Sequence, residues 1–126
     1  MARRAGLVVR GHSGLHFIPA HIARSLVAAP EVSLVPGTAI GMAMVSGEVV
    51  AVLPLGGGPG ALVVCDVDGE LVGFSGLAPE ASGFFEEIEG GVLFGGERAV
   101  DLDLAAALRN AGTSTLDQRG SFDEPG

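Results

Sequence analysis

The feature that most constrains this chain is a hairpin-like segment that occurs twice. Residues 44–55 read MVSGEVVAVLPL, and residues 93–104, forty-nine positions later, read LFGGERAVDLDL. Each copy has a glycine-containing turn between two short apolar runs, a pattern typical of two antiparallel strands joined by a tight turn. Four of the twelve positions are identical in the two copies: Gly47 and Gly96, Glu48 and Glu97, Leu53 and Leu102, Leu55 and Leu104.

A second pair of segments repeats in the same order along the chain. GLVVRGHSG at 6–14 matches ALVVCDVDG at 61–69, with a leucine, two valines and a glycine in common. Each copy is a run of β-forming residues that leads into a turn and a further apolar run. The sequence therefore predicts an internal duplication and four hairpins, at about 6–18, 41–54, 61–74 and 91–102.

Hairpins this small must combine to bury their apolar faces. An isolated hairpin is marginal in water, and closing strands into a barrel removes their exposed edges. We therefore expect a mostly β chain whose hairpins form two small barrels packed against one another. A single antiparallel sandwich is the alternative.

The segments between the hairpins predict short helical connections. PAHIARSLVAAP at 19–30 has proline at both ends and apolar residues spaced for one helix face, so a helix is expected there. LAPEASGFFEEIEG at 77–90 is more broken and is expected to hold at most a helical turn. Residues 103–110 predict a short closing helix, and the polar, turn-rich residues 113–126 predict a disordered tail.

Charge and cysteine content narrow the functional classes. The chain has 7 cationic residues, all arginine, against 15 anionic ones, and its net charge is −8. Nucleic-acid binding is not expected, because neutralising phosphates needs clustered positive charge. The longest charge-free stretch, 49–65, is broken by Pro54 and by GGGPG at 56–60, so it does not predict a membrane-spanning helix. A single cysteine fits a reducing compartment, and we expect a soluble cytoplasmic protein.

The sequence resembles the CheW-like coupling proteins of bacterial chemotaxis. VPGTAIGMAMVSGEVVAVLPL at 35–55 follows a motif of that family without a gap, and FIPAHIARSLVAAPEVSLVP at 17–36 is similar to the segment before it. The resemblance covers about residues 5–109. Four positions of this chain match the motif: Pro36, Gly41, Gly47 and Leu55.

The resemblance implies two five-stranded, SH3-like barrel subdomains with short connecting helices. It implies one domain over residues 1–112, with subdomain 1 at about 14–60 and subdomain 2 at about 61–104. The N-terminal strand and the C-terminal helix cross between the subdomains. Family members contact receptors and the histidine kinase near the subdomain junction. Six residues match that region and are the candidate partner-binding residues: Val35, Ile40, Met42, Met44, Ser46 and Val49.

The chain departs from the family pattern within this motif. Where the family has Asn-Leu-Arg-Gly, this chain has Met-Val-Ser-Gly, so Ser46 replaces a planar cation with five hydrogen-bond donors. Ala51 replaces the usual proline, and Pro54 replaces the usual aspartate. These changes predict a divergent adaptor in which one partner site is altered, or a decoy that occupies its partners without coupling them.

The remaining motifs predict no catalytic, cofactor or metal site. GGGPG at 56–60 lacks the lysine that a phosphate loop needs, and we interpret it as a link between subdomains. Around Ser75, GFSGLAP has leucine where the nucleophile-elbow pattern needs its second glycine. The three carboxylates of DVDGE at 66–70 lack the later ligands of a calcium loop, and Cys65 is expected to be a buried structural thiol. The histidines have no metal-site spacing: His12, His16 and His21.

The segment FFEEIE at 84–89 allows two interpretations. In the favoured one, both phenylalanine rings fill the second barrel while the carboxylates stay in water. In the other, an acidic rim surrounds an apolar anchor, as at many protein interfaces.

The sequence thus predicts a non-enzymatic adaptor that docks a chemoreceptor or a CheA-like histidine kinase in a chemotaxis or motility pathway. Docking would depend on apolar contact, because cations are few in the matching region. The alternative is a small-molecule sensor or minor enzyme that uses the cleft between the subdomains. That alternative requires a concave pocket with converging polar and titratable groups.

Overall fold

The computed structural model describes residues 2–28, 30–34, 36, 40–56 and 60–103. All regular structure in these residues is β. The strands in chain order are β1 Arg3–Gly11, β2 Gly14–Pro19, β3 Ala23–Val27, β4 Val32–Leu34, β5 Gly41–Val45, β6 Glu48–Pro54, β7 Ala61–Val67, β8 Glu70–Ile88, β9 Gly91–Phe94 and β10 Glu97–Asp101.

Five strands close into a barrel. β1 pairs with β2, β2 with β10, β10 with β9, and β9 with the second half of β8, which returns to β1. These pairs are antiparallel except β2 with β10, which is parallel. Each of these strands therefore has two neighbours, and the closure protects strand edges that would otherwise attract other chains. Five buried side chains fill the barrel: Val8, Leu15, Phe17, Val92 and Ala99.

The remaining strands form a second sheet in the order β3, β7, β8, β6, β5, β4. The first half of β8 belongs to this sheet, where it pairs antiparallel with β7 and parallel with β6. β3 and β4 stand at its two ends, and each has one partner strand within the part of the chain that the structure describes. Small aliphatic side chains give this sheet its own core: Ala43, Val50, Val52, Leu62 and Val64.

A single long strand carries the chain from one sheet into the other. β8 has 19 residues, and Gly76 lies where its pairing passes from β7 to β1. Gly76 has φ +75°, and a Cβ there would collide with the backbone of Gly56, so this close approach requires glycine. A third buried cluster, drawn from strands of both sheets, packs them together: Val9, Ile18, Leu53, Val63, Cys65, Val72, Phe74 and Leu77.

The strand pairing repeats between the two sheets, as an internal duplication predicts. In the barrel, Val8 of β1 is opposite Ala81 of β8. In the second sheet, Val63 of β7 is opposite Leu26 of β3. Val63 lies 55 positions after Val8, and Ala81 lies 55 positions after Leu26. This spacing is the offset of the second sequence repeat. Each sheet therefore combines strands from both halves of the chain.

Tight turns explain the glycines that the two copies share. Ser46 and Gly47 join β5 to β6 with φ values of +50° and +82°, and Gly95 and Gly96 join β9 to β10 with +57° and +80°. Two central residues in the left-handed region make a type I′ turn, whose twist matches that of the flanking strands. The four predicted hairpins are confirmed as β1–β2, β5–β6, β7–β8 and β9–β10.

The helix predicted at 19–30 is wrong. Residues 20–22 form a turn, and Ala23–Val27 is strand β3, paired with β7. The backbone N–H of Asp66 also donates to the carbonyl of Ile22 at 2.8 Å. A helix this short is marginal on its own, whereas pairing with a buried strand satisfies the same backbone groups and adds apolar contacts. Tertiary pairing therefore overrides the local helical pattern.

The broken connection predicted at 77–90 is also wrong, because most of it is the second half of β8. The chain-breaking residues are accommodated within the strand. The register against β1 shifts between Val8 and Val9, next to Pro79, as at a β-bulge, where a missing N–H is tolerated. Gly83 has φ +146°.

Some sequence predictions lie on residues outside the described part of the chain. These are most of the proposed link at 56–60, the closing helix beyond residue 103, and the tail at 113–126. The predicted subdomain limits, about 14–60 and 61–104, stay predictions. The mostly β architecture is confirmed, and the described residues contain no connecting helix.

Candidate functional site

The outward side of hairpin β5–β6 is apolar. Met42 and Met44 alternate along β5 with the buried Gly41 and Ala43, because successive side chains of a strand point to opposite faces. Met44 is directly opposite Val49 of β6. The exposed fractions are 43% for Met42, 68% for Met44 and 58% for Val49. We call this surface the hairpin face, and it comprises Met42, Met44, Val49 and Ala51.

Three of the six candidate partner-binding residues therefore share one exposed surface: Met42, Met44 and Val49. Ser46 is exposed at the tip of the same hairpin. Ile40 is half-buried and packs against the central cluster, so it is turned towards the core. Val35 lies outside the described residues. The partner-binding role of all six stays a prediction.

A notch of about 660 Å³ adjoins the hairpin face. It is lined by Val27 and Pro30 and by residues of β5 and β6. β4 pairs with β5 only as far as Ala43, so Met44 extends beyond the end of that short strand. The carboxylate-bearing residue Glu31 also lines the notch and is exposed. The apolar face therefore continues into a concave surface.

A second apolar surface lies where the barrel meets the second sheet. This junction groove, of about 480 Å³, is lined by residues of β1, β3, β7 and β8. Leu26 of β3 is 47% exposed and Phe84 of β8 is 70% exposed. Sequence reasoning missed Leu26 as a surface residue because it assigned 19–30 to a helix. Alternation along a strand separates Phe84 from Phe85, but the broken pattern of residues 77–90 predicts at most a helical turn and no strand.

The two neighbouring phenylalanines have opposite surroundings. Phe85 packs into the barrel, with ring centroids 6.1 Å from Phe17 and 6.0 Å from Phe94, both edge-on. Phe84 points outward into the junction groove, beside exposed Glu86 on the same face of β8. The favoured interpretation of 84–89 holds for Phe85 and is wrong for Phe84.

An ion pair ties β3 to β7 beside the junction groove. Arg24 donates to a carboxylate oxygen of Asp66 at 2.6 Å, and the backbone N–H of Gly69 donates to the other oxygen at 2.8 Å. These two hydrogen bonds, first that from Arg24, lower the pKa of Asp66 because they favour its charged form. Asp66 therefore has a structural role, because it stabilises the β7–β8 turn and the pairing of β3 with β7.

The other chemically active side chains are dispersed. Ser13 and His16 are 3.3 Å apart in a hairpin turn, and partial burial lowers the pKa of His16. Cys65 is buried, which raises the pKa of its thiol to about 11, so it is not a nucleophile at neutral pH. Among the described residues no three His, Cys, Asp or Glu side chains cluster as a metal site would require. The junction groove itself offers few polar groups to a small ligand: Arg24, Ser25 and Ser82.

Comparison with known structures identifies this arrangement of strands. The chain superposes on a crystal structure of the scaffolding protein TtCheW from Thermoanaerobacter tengcongensis with a TM-score of 0.61 and 13% sequence identity. The match covers 80% of this chain and 90% of that one. The fold is CheW-like.

Comparisons of the sequence alone do not identify this fold. No family model matches the chain, and no curated protein matches it significantly. The CheW-like fold expected from residues 35–55 is confirmed by the structure, and at this identity the likeness concerns the fold. No helix in the described residues is long and apolar enough to cross a membrane.

Proposed function

We propose that this chain is a non-enzymatic adaptor that docks protein partners of a chemosensory pathway in the cytoplasm. The partners would be a chemoreceptor, a CheA-like histidine kinase, or both. The observation that carries the proposal is the hairpin face: an exposed apolar surface, on a CheW-like fold, at the positions that resemble the family's contact region.

The hairpin face has the properties of a docking surface. Met44 and Val49 are cross-strand neighbours with most of their surface in water, although a solvated sheet face usually carries polar side chains. Full burial of such a side chain contributes about 1.5–3 kcal/mol. Two or three of them, buried together, supply the central contacts on which an interface depends.

The junction groove offers a place for a second partner. Leu26 and Phe84 project from different strands onto its walls, so a bound segment would touch both sheets at once. An adaptor needs two partner surfaces, and the hairpin face and the junction groove involve different strands. Ser46 stands where the family has arginine, which supports a change of partner or a decoy role at the hairpin face.

The decisive variant is Met44→Asp. Met44 is mostly exposed, so the substitution should change the free energy of unfolding by no more than about 0.5 kcal/mol. A buried, unpaired carboxylate should nevertheless abolish capture of the partner. The measurement is affinity purification of the tagged chain from its native cell extract, with protein identification, for the wild type and the variant.

Leu93→Asp is the matched control. Leu93 occupies the position equivalent to Met44 in the repeated hairpin, is 37% exposed, and lies between Arg98 of β10 and Glu86 of β8. This control should retain the partner. If Met44→Asp unfolds the chain, Met44 is a core residue and the assignment is wrong. If no chemoreceptor or kinase is captured while a metabolite raises the melting temperature, the small-molecule alternative replaces the adaptor.

A further inference from the structure

The described arginines are absent from the strands that form the hairpin face. Three lie on β1, one on β3 and one on β10: Arg3, Arg4, Arg10, Arg24 and Arg98. Three of them form four ion pairs: Arg4 with Asp101, Arg10 with Glu80 and with Glu97, and Arg24 with Asp66. Strands β4, β5 and β6 carry no cation at all.

An exposed carboxylate borders the hairpin face instead. Glu31 lines the notch directly before β4. A second glutamate, Glu48, is exposed at the tip of the hairpin, but it is opposite Val45 and therefore on the other face from Met44 and Val49. Neither glutamate is in an ion pair with another described residue. The surface is therefore an apolar patch of methionine and valine bordered by negative charge only.

We propose that the segment docking on the hairpin face is cationic and apolar: a stretch of a partner protein in which a large apolar side chain is flanked by arginine or lysine. This inference rests on the proposed docking role of the same face. The apolar anchor would enter the notch beside Met44, and a flanking cation would reach Glu31. Opposite potentials across an interface favour both encounter and register.

Other occupants fit this surface less well. A second copy that used the same face would bring another Glu31 and no cation from β4, β5 or β6, and the whole chain already has a net charge of −8. An anionic lipid surface or a nucleic acid would meet a carboxylate and no cation on this face. Methionine side chains are flexible and polarizable, so Met42 and Met44 can adapt to anchors of different shape.

Selection from a phage-displayed random peptide library tests the chemistry of the occupant. The wild-type full chain and Met44→Arg are used as baits in parallel, because an arginine at this position repels a cationic peptide, whereas a new carboxylate would attract one. Peptides recovered only by the wild type should pair arginine or lysine with leucine, isoleucine, phenylalanine or tryptophan. Recovery of acidic or uncharged peptides, no recovery at all, or equal recovery by both baits would overturn the proposal.

Charge removal on the face gives the quantitative arm. With the best selected peptide, Glu31→Gln should weaken binding by about two- to fivefold, as loss of an exposed ion pair does. Added salt should weaken wild-type binding more than binding by the variant. The matched control Glu87→Gln removes the same charge from an exposed position of the barrel and should bind like the wild type.

These outcomes separate the two proposals. If partner capture depends on Met44 but Glu31→Gln binds like the Glu87→Gln control, the adaptor role stands and the cationic occupant is wrong. If sedimentation shows that the wild type dimerises and Met44→Asp is monomeric, a second copy covers the face, and the proposal is again overturned.

Discussion

Phe84 and Phe85 are adjacent in sequence, yet the structure assigns them opposite energetic roles. Both are on β8, so their side chains point to opposite faces of the sheet. Phe85 contacts Phe17 and Phe94 inside the barrel, whereas Phe84 is 70% exposed. Replacing each by alanine therefore compares the same chemical deletion in two environments one residue apart.

The expected losses of stability follow from these surroundings. Deleting a core phenylalanine costs about 3–5 kcal/mol. Phe85 is only half-buried, which lowers the cost, but it makes two edge-to-face contacts with other rings, each worth about 0.5–1.5 kcal/mol. We expect about 2–3 kcal/mol for Phe85→Ala. Phe84→Ala removes little buried surface and should change stability by less than about 0.5 kcal/mol.

Urea unfolding followed by far-UV circular dichroism measures the difference. With a slope of about 1–3 kcal/mol per molar urea for a chain of this size, Phe85→Ala should lower the midpoint by about 1–2 M. Phe84→Ala should leave the midpoint and the slope close to those of the wild type. A reversed order, or equal losses for both variants, would refute the assignment of Phe85 to the core face and Phe84 to the solvent face of β8.

Three further predictions concern single positions. Burial raises the pKa of Cys65 to about 11, so iodoacetamide at neutral pH should label the folded chain far more slowly than the chain in denaturant; equal rates would contradict the burial. Arg24→Ala should raise the pKa of Asp66 in an NMR titration, and an unshifted titration would contradict the pairing. In the wild type, the stabilisation from this pair is complete above the unfolded-state pKa of Asp66. It should be lost as the pH falls through the lower folded-state pKa. Gly91→Ala should destabilise the barrel, because its Cβ would collide with the carbonyl oxygen of Ala99; unchanged thermal unfolding would contradict that approach.

The proposed site could be predicted in part because its signals are local. Met42 and Met44 alternate along a short β-forming run, and the turn at Ser46-Gly47 sets the register that puts Val49 opposite Met44. A resemblance in residues 35–55 pointed to the same hairpin. The junction groove gave no such signal, since its walls come from segments far apart in the sequence.

Which hairpins combine was decided by tertiary packing. The two repeats suggest two units that follow one another, yet hairpin β1–β2 joins β9–β10 in the barrel, and β5–β6 joins β7–β8 in the second sheet. Copies that arise by duplication have similar apolar faces and edges. Pairing within a half and pairing between halves therefore satisfy the same local pattern. The central cluster, which draws on strands of both sheets, is formed in the pairing that the structure shows.

The sequence by itself determined the hairpins, their turns and the common face of Met42 and Met44, because glycine at positive φ and period-two alternation act within a few residues. Tertiary structure alone decided that Ala23–Val27 is a strand, that β8 spans both sheets, and that Phe84 faces water while Phe85 faces the core. Those outcomes depend on long-range partners, since β3 and β8 are ordered by pairing with β7, β1 and β9, and no local propensity encodes where these strands lie.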